Sequence, residues 1–187
     1  MKALIVIDYT YDFVVGRLPV GQPAIDIEDR IATLTHEFLV HGDYVVMAVD
    51  VHEENDPYHP ETKLFPPHNI RHTGGRDLYG KLGMLGVLYD AHKERIHWMD
   101  KTRYSSFAGT DLEIKLRERG ITEIHLIGVC TDICVLHTAV DAYNKGFQIT
   151  IHEDAVASFN QAGHDWALGH FKDTLGANVV RIWEAAK

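Results

Sequence analysis

The sequence predicts an α/β protein built on a doubly wound parallel sheet, and three observations carry that prediction. Short uninterrupted apolar runs recur, beginning with Ala3-Leu4-Ile5-Val6-Ile7, which is how a strand buried on both faces reads. Between such runs lie segments with apolar residues at helical spacing, among them Ala24, Ile27, Ile31, Leu34 and Phe38. The runs also finish on charged residues, Asp8, Asp50 and the pair Asp100 and Lys101. Strands alternating with helices in this way form a parallel sheet covered on both faces, hence three layers. At 187 residues and 45% hydrophobic content the chain can bury one good core, so a single domain over residues 1–187 is expected.

Taken in order, residues 3–7 are the first strand, and residues 9–23, rich in aromatics, Gly and Pro, read as a loop. One helix is expected through Ala24 to Phe38, stopped by Gly42, and residues 44–49 form a second strand ending at Asp50. Residues 52–86 are irregular, and a segment of that length inside a compact domain is usually functional. Residues 95–99 form a third strand, and a helix through Leu112 and Leu116 ends at Gly120. The stretch 121–137 follows, a buried strand through Ile124, Leu126 and Val129 that hands over to a helix at Gly128. Thr131 and Asp132 are N-cap types there, which places Cys134 in the first helical turn. Residues 147–151 are a fifth strand ending at Glu153 and Asp154, 164–175 a helix closed by Gly176, and 179–183 a sixth strand.

A net charge of −9 without any Lys or Arg cluster argues against nucleic-acid or membrane partners, since phosphates require clustered positive charge. No apolar run approaches the roughly 20 residues that span a bilayer, and Met1 to Asp8 reads as a strand, not a secretory leader. With only Cys130 and Cys134 present, a reducing, cytoplasmic setting is expected.

In a doubly wound sheet, ligands bind outside the carboxyl ends of the strands. Asp8, Asp50, Lys101 and Cys134 should therefore meet in one crevice. A thiol at a helix N-terminus beside a Lys favours the thiolate, and a carboxylate next to it can carry the proton. The ordinary alternatives stand beside this reading: buried thiols are mostly inert core, and strand-end Asp residues often only cap helices. Thirteen His hint at a metal. Asp50 and His52, two apart on an extended segment, point the same way, and Glu61 and His68 follow in the loop; such a mixed N/O set suits zinc, iron or manganese. The loop histidines 52, 59, 68 and 72 are equally compatible with a solvated acidic surface.

Several motifs together carry a resemblance covering nearly the whole chain. They are Ile-Asp-Tyr-Thr-Tyr-Asp-Phe at 7–13, Asp50-Val51-His52, Leu-Phe-Pro-Pro-His at 64–68, Lys101 with Tyr104, Ser105 and Phe107, and Gly-Val-Cys-Thr-Asp-Ile-Cys-Val at 128–135. The sequence resembles the isochorismatase-like cysteine hydrolases, and among them the nicotinamidases most. The resemblance implies a six-stranded parallel sheet and hydrolysis of nicotinamide to nicotinate and ammonia in NAD salvage, with pyrazinamide as a related substrate. It implies Cys134 as nucleophile, Asp8 as general acid/base and Lys101 as the third catalytic member. It further implies Asp50, His52 and His68 as ligands of one divalent metal, usually zinc, with Glu61 completing the shell directly or through water. Phe13, Phe65 and Tyr104 fall where the family sandwiches an aromatic ring, Phe65 replacing the Trp of some members. A cis peptide between Val129 and Cys130 is implied, with the N–H groups of Cys130 and Cys134 as the oxyanion hole, and so is a homo-oligomer. Cys130 departs from the usual Ala, Ser or Leu.

Three other functions fit parts of this pattern. Another isochorismatase-like hydrolase could act on a vinyl ether or on a carbamoyl or ureido amide, although the vinyl-ether enzymes generally lack the Asp50, His52, His68 set. A thiol redox protein would use Cys130 and Cys134, which are poorly spaced for a disulfide across a strand-to-helix turn. A non-catalytic metal or ligand module would bind without turnover.

Overall fold

The structure, a computed structural model, describes residues 1–181. Six strands form one parallel sheet: β1 (Ala3–Ile7), β2 (Tyr44–Asp50), β3 (Ile96–Lys101), β4 (Glu123–Val129), β5 (Gln148–Ala157) and β6 (Asn178–Val180). Their order in the sheet is β3-β2-β1-β4-β5-β6. The chain winds outward from β1 through β2 to β3, then crosses to the other side of β1 to lay down β4, so the switch in direction falls between β1 and β4. β1 is buried at every position and β4 at all but Glu123, which is why β1 is apolar throughout.

Alternation along β1 divides the core into two. Ala3, Ile5 and Ile7 face α6 (Leu112–Arg117), α7 (Leu136–Asn144) and α8 (Gln161–Asp173), packing with Leu112, Leu116, Ala139, Ala142 and Phe171. Leu4 and Val6 face the other way, toward α1 (Tyr11–Val14), α2 (Gln22–Asp26), α3 (Glu28–Val40), α4 (Gly80–Gly83) and α5 (Gly86–Ala91), and meet Val14, Ala24, Ile31, Leu34, Leu82 and Tyr89. This is the expected three-layer, doubly wound α/β fold with helices on both faces. Between β2 and α4 the chain makes only two short 3₁₀ turns, Pro60–Lys63 and Gly74–Arg76, in agreement with the irregular reading of that segment.

Three local expectations change. The helix expected through Ala24 to Phe38 breaks at Ile27 (φ −94°, ψ 1°) into α2 and α3. The Ala24 carbonyl, which an unbroken helix would give to the Glu28 N–H, accepts the buried Tyr9 hydroxyl at 2.7 Å instead. Strand β5 does not stop at Glu153 and Asp154 but runs on to Ala157, because its register against β4 slips between Leu126 and Gly128 and accommodates the extra residues. Helix α8 begins earlier than position 164, since the Asn160 side chain caps it by accepting the Gly163 N–H at 3.1 Å. Of the sixth strand, Ile182 and Trp183 lie outside the described residues.

The junction after β4 differs in kind. Residues Thr131–Val135 form a π turn, with the Val135 N–H reaching back to the Cys130 carbonyl at 3.2 Å, and α7 follows at once. Thr131 and Asp132 do not cap it. The Thr131 hydroxyl bonds His164 Nδ1 at 2.8 Å, and Asp132 Oδ1 accepts the Ser158 hydroxyl at 2.6 Å, so the two side chains tie the turn to α8 and to the β5–α8 connection. Gly128 is required just before it: its φ is 115°, and a Cβ there would lie 2.0 Å from the Ile7 carbonyl oxygen of β1.

Candidate active site

The switch point sets four polar side chains together at the carboxyl edge of the sheet. Asp8 follows the last residue of β1 with φ 54°, a left-handed conformation uncommon outside glycine, and its Oδ1 accepts the Asp50 N–H at 2.8 Å. Lys101 ends β3, and its fully buried ammonium lies 2.7 Å from Asp8 Oδ2, 3.6 Å from Asp50 Oδ1 and 3.6 Å from Cys134 Sγ. It also donates to the Arg103 carbonyl at 3.2 Å. Cys134, from the π turn, is 5% exposed. A buried ammonium is tolerable only when paired, and here two carboxylates pair it.

Electrostatics follow from burial and from Lys101. For Lys101, burial pushes the pKa down, but Asp50 and Asp8 outweigh it and hold the group well above its ordinary value, hence charged. Asp50 is also disfavoured by burial; Lys101, the hydrogen bond from His52 and the nearby His68 ring overcome this and keep it well below the usual carboxylate range. Asp8 and Cys134 come out the other way, both pushed up by burial that Lys101 only partly offsets. This corrects the expectation of a resting thiolate. The helix end and Lys101 are in place, yet desolvation wins, and the thiol is neutral until its proton is taken.

Beside Asp50 lies the second group. The ligating atoms of Asp50, His52, Glu61 and His68 all fall within 4.8 Å of one another, and all four residues are buried, which removes the solvated-surface reading of His52 and His68. His52 Nε2 is 2.6 Å from Asp50 Oδ2. His68 Nδ1 bonds the Pro66 carbonyl at 2.8 Å and must donate to it, so in the neutral ring Nε2 is the lone-pair atom. That atom stands 3.5 Å from Asp50 Oδ2 and 3.7 Å from Glu61 Oε2, beyond hydrogen-bond length to either. Burial and then Asp50 push Glu61 up to about 7. Converging acceptors with an uncommitted imidazole nitrogen among them fit a divalent cation with N/O ligands.

The sequence missed two neighbours of this site. His59, buried, accepts the Glu61 N–H on Nδ1 at 3.2 Å and bonds the Thr102 carbonyl through Nε2 at 2.7 Å, fixing Glu61 from behind. Phe159 lines the same small cavity as Phe13, Phe65, Tyr104, Ile133 and Cys134, a cavity that Glu61 also borders. The spacing of His59 two before Glu61 was a usable signal; nothing local marks Phe159, which arrives from the β5–α8 connection. Phe13 packs edge-on against the His68 ring, centroids 5.0 Å apart. The Val129–Cys130 peptide is cis, and Cys130 is a buried free thiol pushed up to about 12 by burial, as is fitting for packing and poor for redox exchange.

Comparison with known proteins bears on this arrangement. The family model for the isochorismatase domain matches residues 2–183. A Bacillus subtilis (strain 168) protein named as the uncharacterized isochorismatase family protein PncA is 64% identical over 181 residues, covering 96% of this chain and 98% of that one. The crystal structure of nicotinamidase/pyrazinamidase PncA from Bacillus subtilis superimposes with a TM-score of 0.92 at 62% identity, covering 97% and 100% of the two chains. The structure of pyrazinamidase of Pyrococcus horikoshii in complex with zinc does so with a TM-score of 0.83 at 30% identity, covering 96% and 98%. A thiol, a carboxyl and an ammonium at the switch point of this sheet, in a chain so matched along nearly its whole length, make the protein a hydrolase that belongs to the isochorismatase domain family.

Proposed function

We propose that the chain is a nicotinamidase, a single-domain cysteine amidohydrolase that converts nicotinamide to nicotinate and ammonia in NAD salvage. The observation that carries this is the contact of Lys101 with Asp8, Asp50 and Cys134 at once, with Cys134 lining an aromatic-walled cavity. Two free thiols suit a cytoplasmic setting. The aromatic walls Phe13, Phe65 and Tyr104 suit a flat heteroaromatic ring, and the Bacillus subtilis structure bears the name of such an enzyme.

Asp8 takes the proton of Cys134 as the sulfur attacks the amide carbonyl, forming the C–S bond. The developing oxyanion is received by the N–H groups of Cys130 and Cys134. Asp8 then returns the proton to nitrogen, the C–N bond breaks, and ammonia leaves a thioester on Cys134. A water deprotonated by Asp8 adds to the thioester and releases nicotinate, with the proton returning to sulfur. Lys101 stabilises each anionic form of Asp8 and Cys134 and keeps the two aligned. Asp50, His52 and His68, with Glu61, would hold one divalent metal, which we assign as zinc; when bound it supplies a Lewis acid for the ring nitrogen of the substrate.

Ammonia release tests the reading. The parent chain should hydrolyse nicotinamide and pyrazinamide, lose activity on chelation and regain it with zinc. Cys134→Ala should lower turnover by about 10⁴-fold or more while still binding metal. An active Ala variant, or a parent that hydrolyses ureido or carbamoyl amides and leaves nicotinamide untouched, would overturn it.

A further inference from the structure

Asn69 follows His68 directly, and three polar connections converge on it. It is fully buried, with φ 44° in the left-handed region that asparagine tolerates better than most residues with a side chain. Its N–H donates to Asp12 Oδ2 at 2.8 Å, its carbonyl accepts the His52 N–H at 3.1 Å, and its Oδ1 accepts the Thr10 hydroxyl at 3.0 Å. The carbonyl of His52 accepts the Arg71 N–H at 2.9 Å, so the His52 backbone is held from both sides by the segment around Asn69. Asp12 is equally constrained. Its Oδ1 accepts the Arg17 N–H at 3.2 Å, and Gly75 packs so closely that a Cβ there would lie 2.2 Å from its Oδ2.

We propose that Asn69 is a positioning residue for the metal ligands. By holding a left-handed turn and clasping Thr10, Asp12 and His52, it sets the direction from which His52 and His68 present their imidazoles. The reason is geometric. The peptide joining His68 to Asn69 carries the N–H that Asp12 grips, so returning residue 69 to negative φ would rotate that peptide and swing the His68 ring. The chain leaving β1, which also supplies Asp8, thereby controls both loop-borne histidines. The proposal rests on the assignment of Asp50, His52 and His68 as ligands, and goes beyond it by naming what holds them.

The test compares metal binding in Asn69→Gly, Asn69→Ala and Thr10→Val with that of the parent. Zinc affinity is read by chelator competition and ligand geometry by the visible spectrum of the cobalt-loaded protein. Glycine keeps the left-handed backbone, so Asn69→Gly should stay within about threefold of the parent with the same cobalt bands, whereas Asn69→Ala should bind about 10- to 100-fold more weakly with shifted bands. Thr10→Val, which deletes one hydroxyl and leaves the backbone alone, should weaken binding severalfold, and it decides the matter if Asn69→Ala fails to fold. Parent-like affinity and spectrum in Asn69→Ala or in Thr10→Val would overturn the proposal, as would equal loss in Ala and Gly. A parent chain that binds no zinc would instead sink the ligand assignment itself.

Discussion

Two buried polar clusters sit on this one sheet, and only one of them is built for chemistry. The first is Asp8, Asp50, Lys101 and Cys134 at the switch point. The second lies where β4 and β5 face α3: His125 Nδ1 meets His152 Nε2 at 2.8 Å, His125 Nε2 meets Glu123 Oε1 at 2.9 Å, and Arg30 pairs with Asp154 at 3.1 Å nearby. Both histidines are lowered, mainly by burial, His152 to about 4, and a consistent chain of neutral tautomers runs from His152 through His125 to Glu123. Phe38 closes over His125, ring centroids 5.0 Å apart. The first cluster keeps ionised groups together and opens onto a cavity; the second keeps its imidazoles neutral and sealed. Burial of polar groups is common to both, so what distinguishes a reactive site is charge held in place beside open space.

The largest effect that sharpens this contrast comes from Lys101→Met. Removing the ammonium leaves Asp8 and Asp50 as adjacent buried carboxyls, so activity should vanish and urea unfolding should show a loss of about 3–5 kcal/mol. A stable, inactive variant would mean that the ion pairs serve catalysis alone. The second effect comes from the histidine cluster and from pH. Because the folded-state value of His152 is about 4 against 6.5 for the free side chain, the unfolded chain binds more protons between those values. Stability should therefore be complete above pH 6.5 and fall as the pH drops toward 4, by up to about 3 kcal/mol for His152. Denaturant melts across that range check the slope, which His152→Leu should flatten; an unchanged slope would locate acid sensitivity elsewhere. The smallest effect is at the cavity rim. Phe159→Ala should raise KM for nicotinamide severalfold with kcat held, about 1 kcal/mol of lost ring contact. A fall in kcat with constant KM would show that Phe159 does more than shape the cavity.

How much was legible in the sequence varied with how local the cause was. Residues 3–7 announced β1 because a strand buried on both faces admits only apolar side chains, and Asp8, Asp50 and Lys101 stood out as charges at the ends of such runs. The break at Ile27 was hidden, since the Tyr9 hydroxyl that takes the Ala24 carbonyl comes from 15 residues away. The extension of β5 depends on a slip against β4, and the displaced caps at Thr131 and Asp132 depend on His164 and Ser158; none of these partners is close in sequence. Asn69 was overlooked for the same reason, because its hydrogen bonds run to residues 10, 12 and 52.

The layered α/β plan and the residue types that arrive at the carboxyl edge follow from the chain alone, because apolar periodicity and strand-end charges are local properties. Their chemical state depends on the assembled fold. Whether Cys134 is thiol or thiolate, and whether His68 offers a lone pair, is set by desolvation and by partners brought from β1, β2, β3 and the loop. Those energies belong to the assembled site and to no single stretch of it.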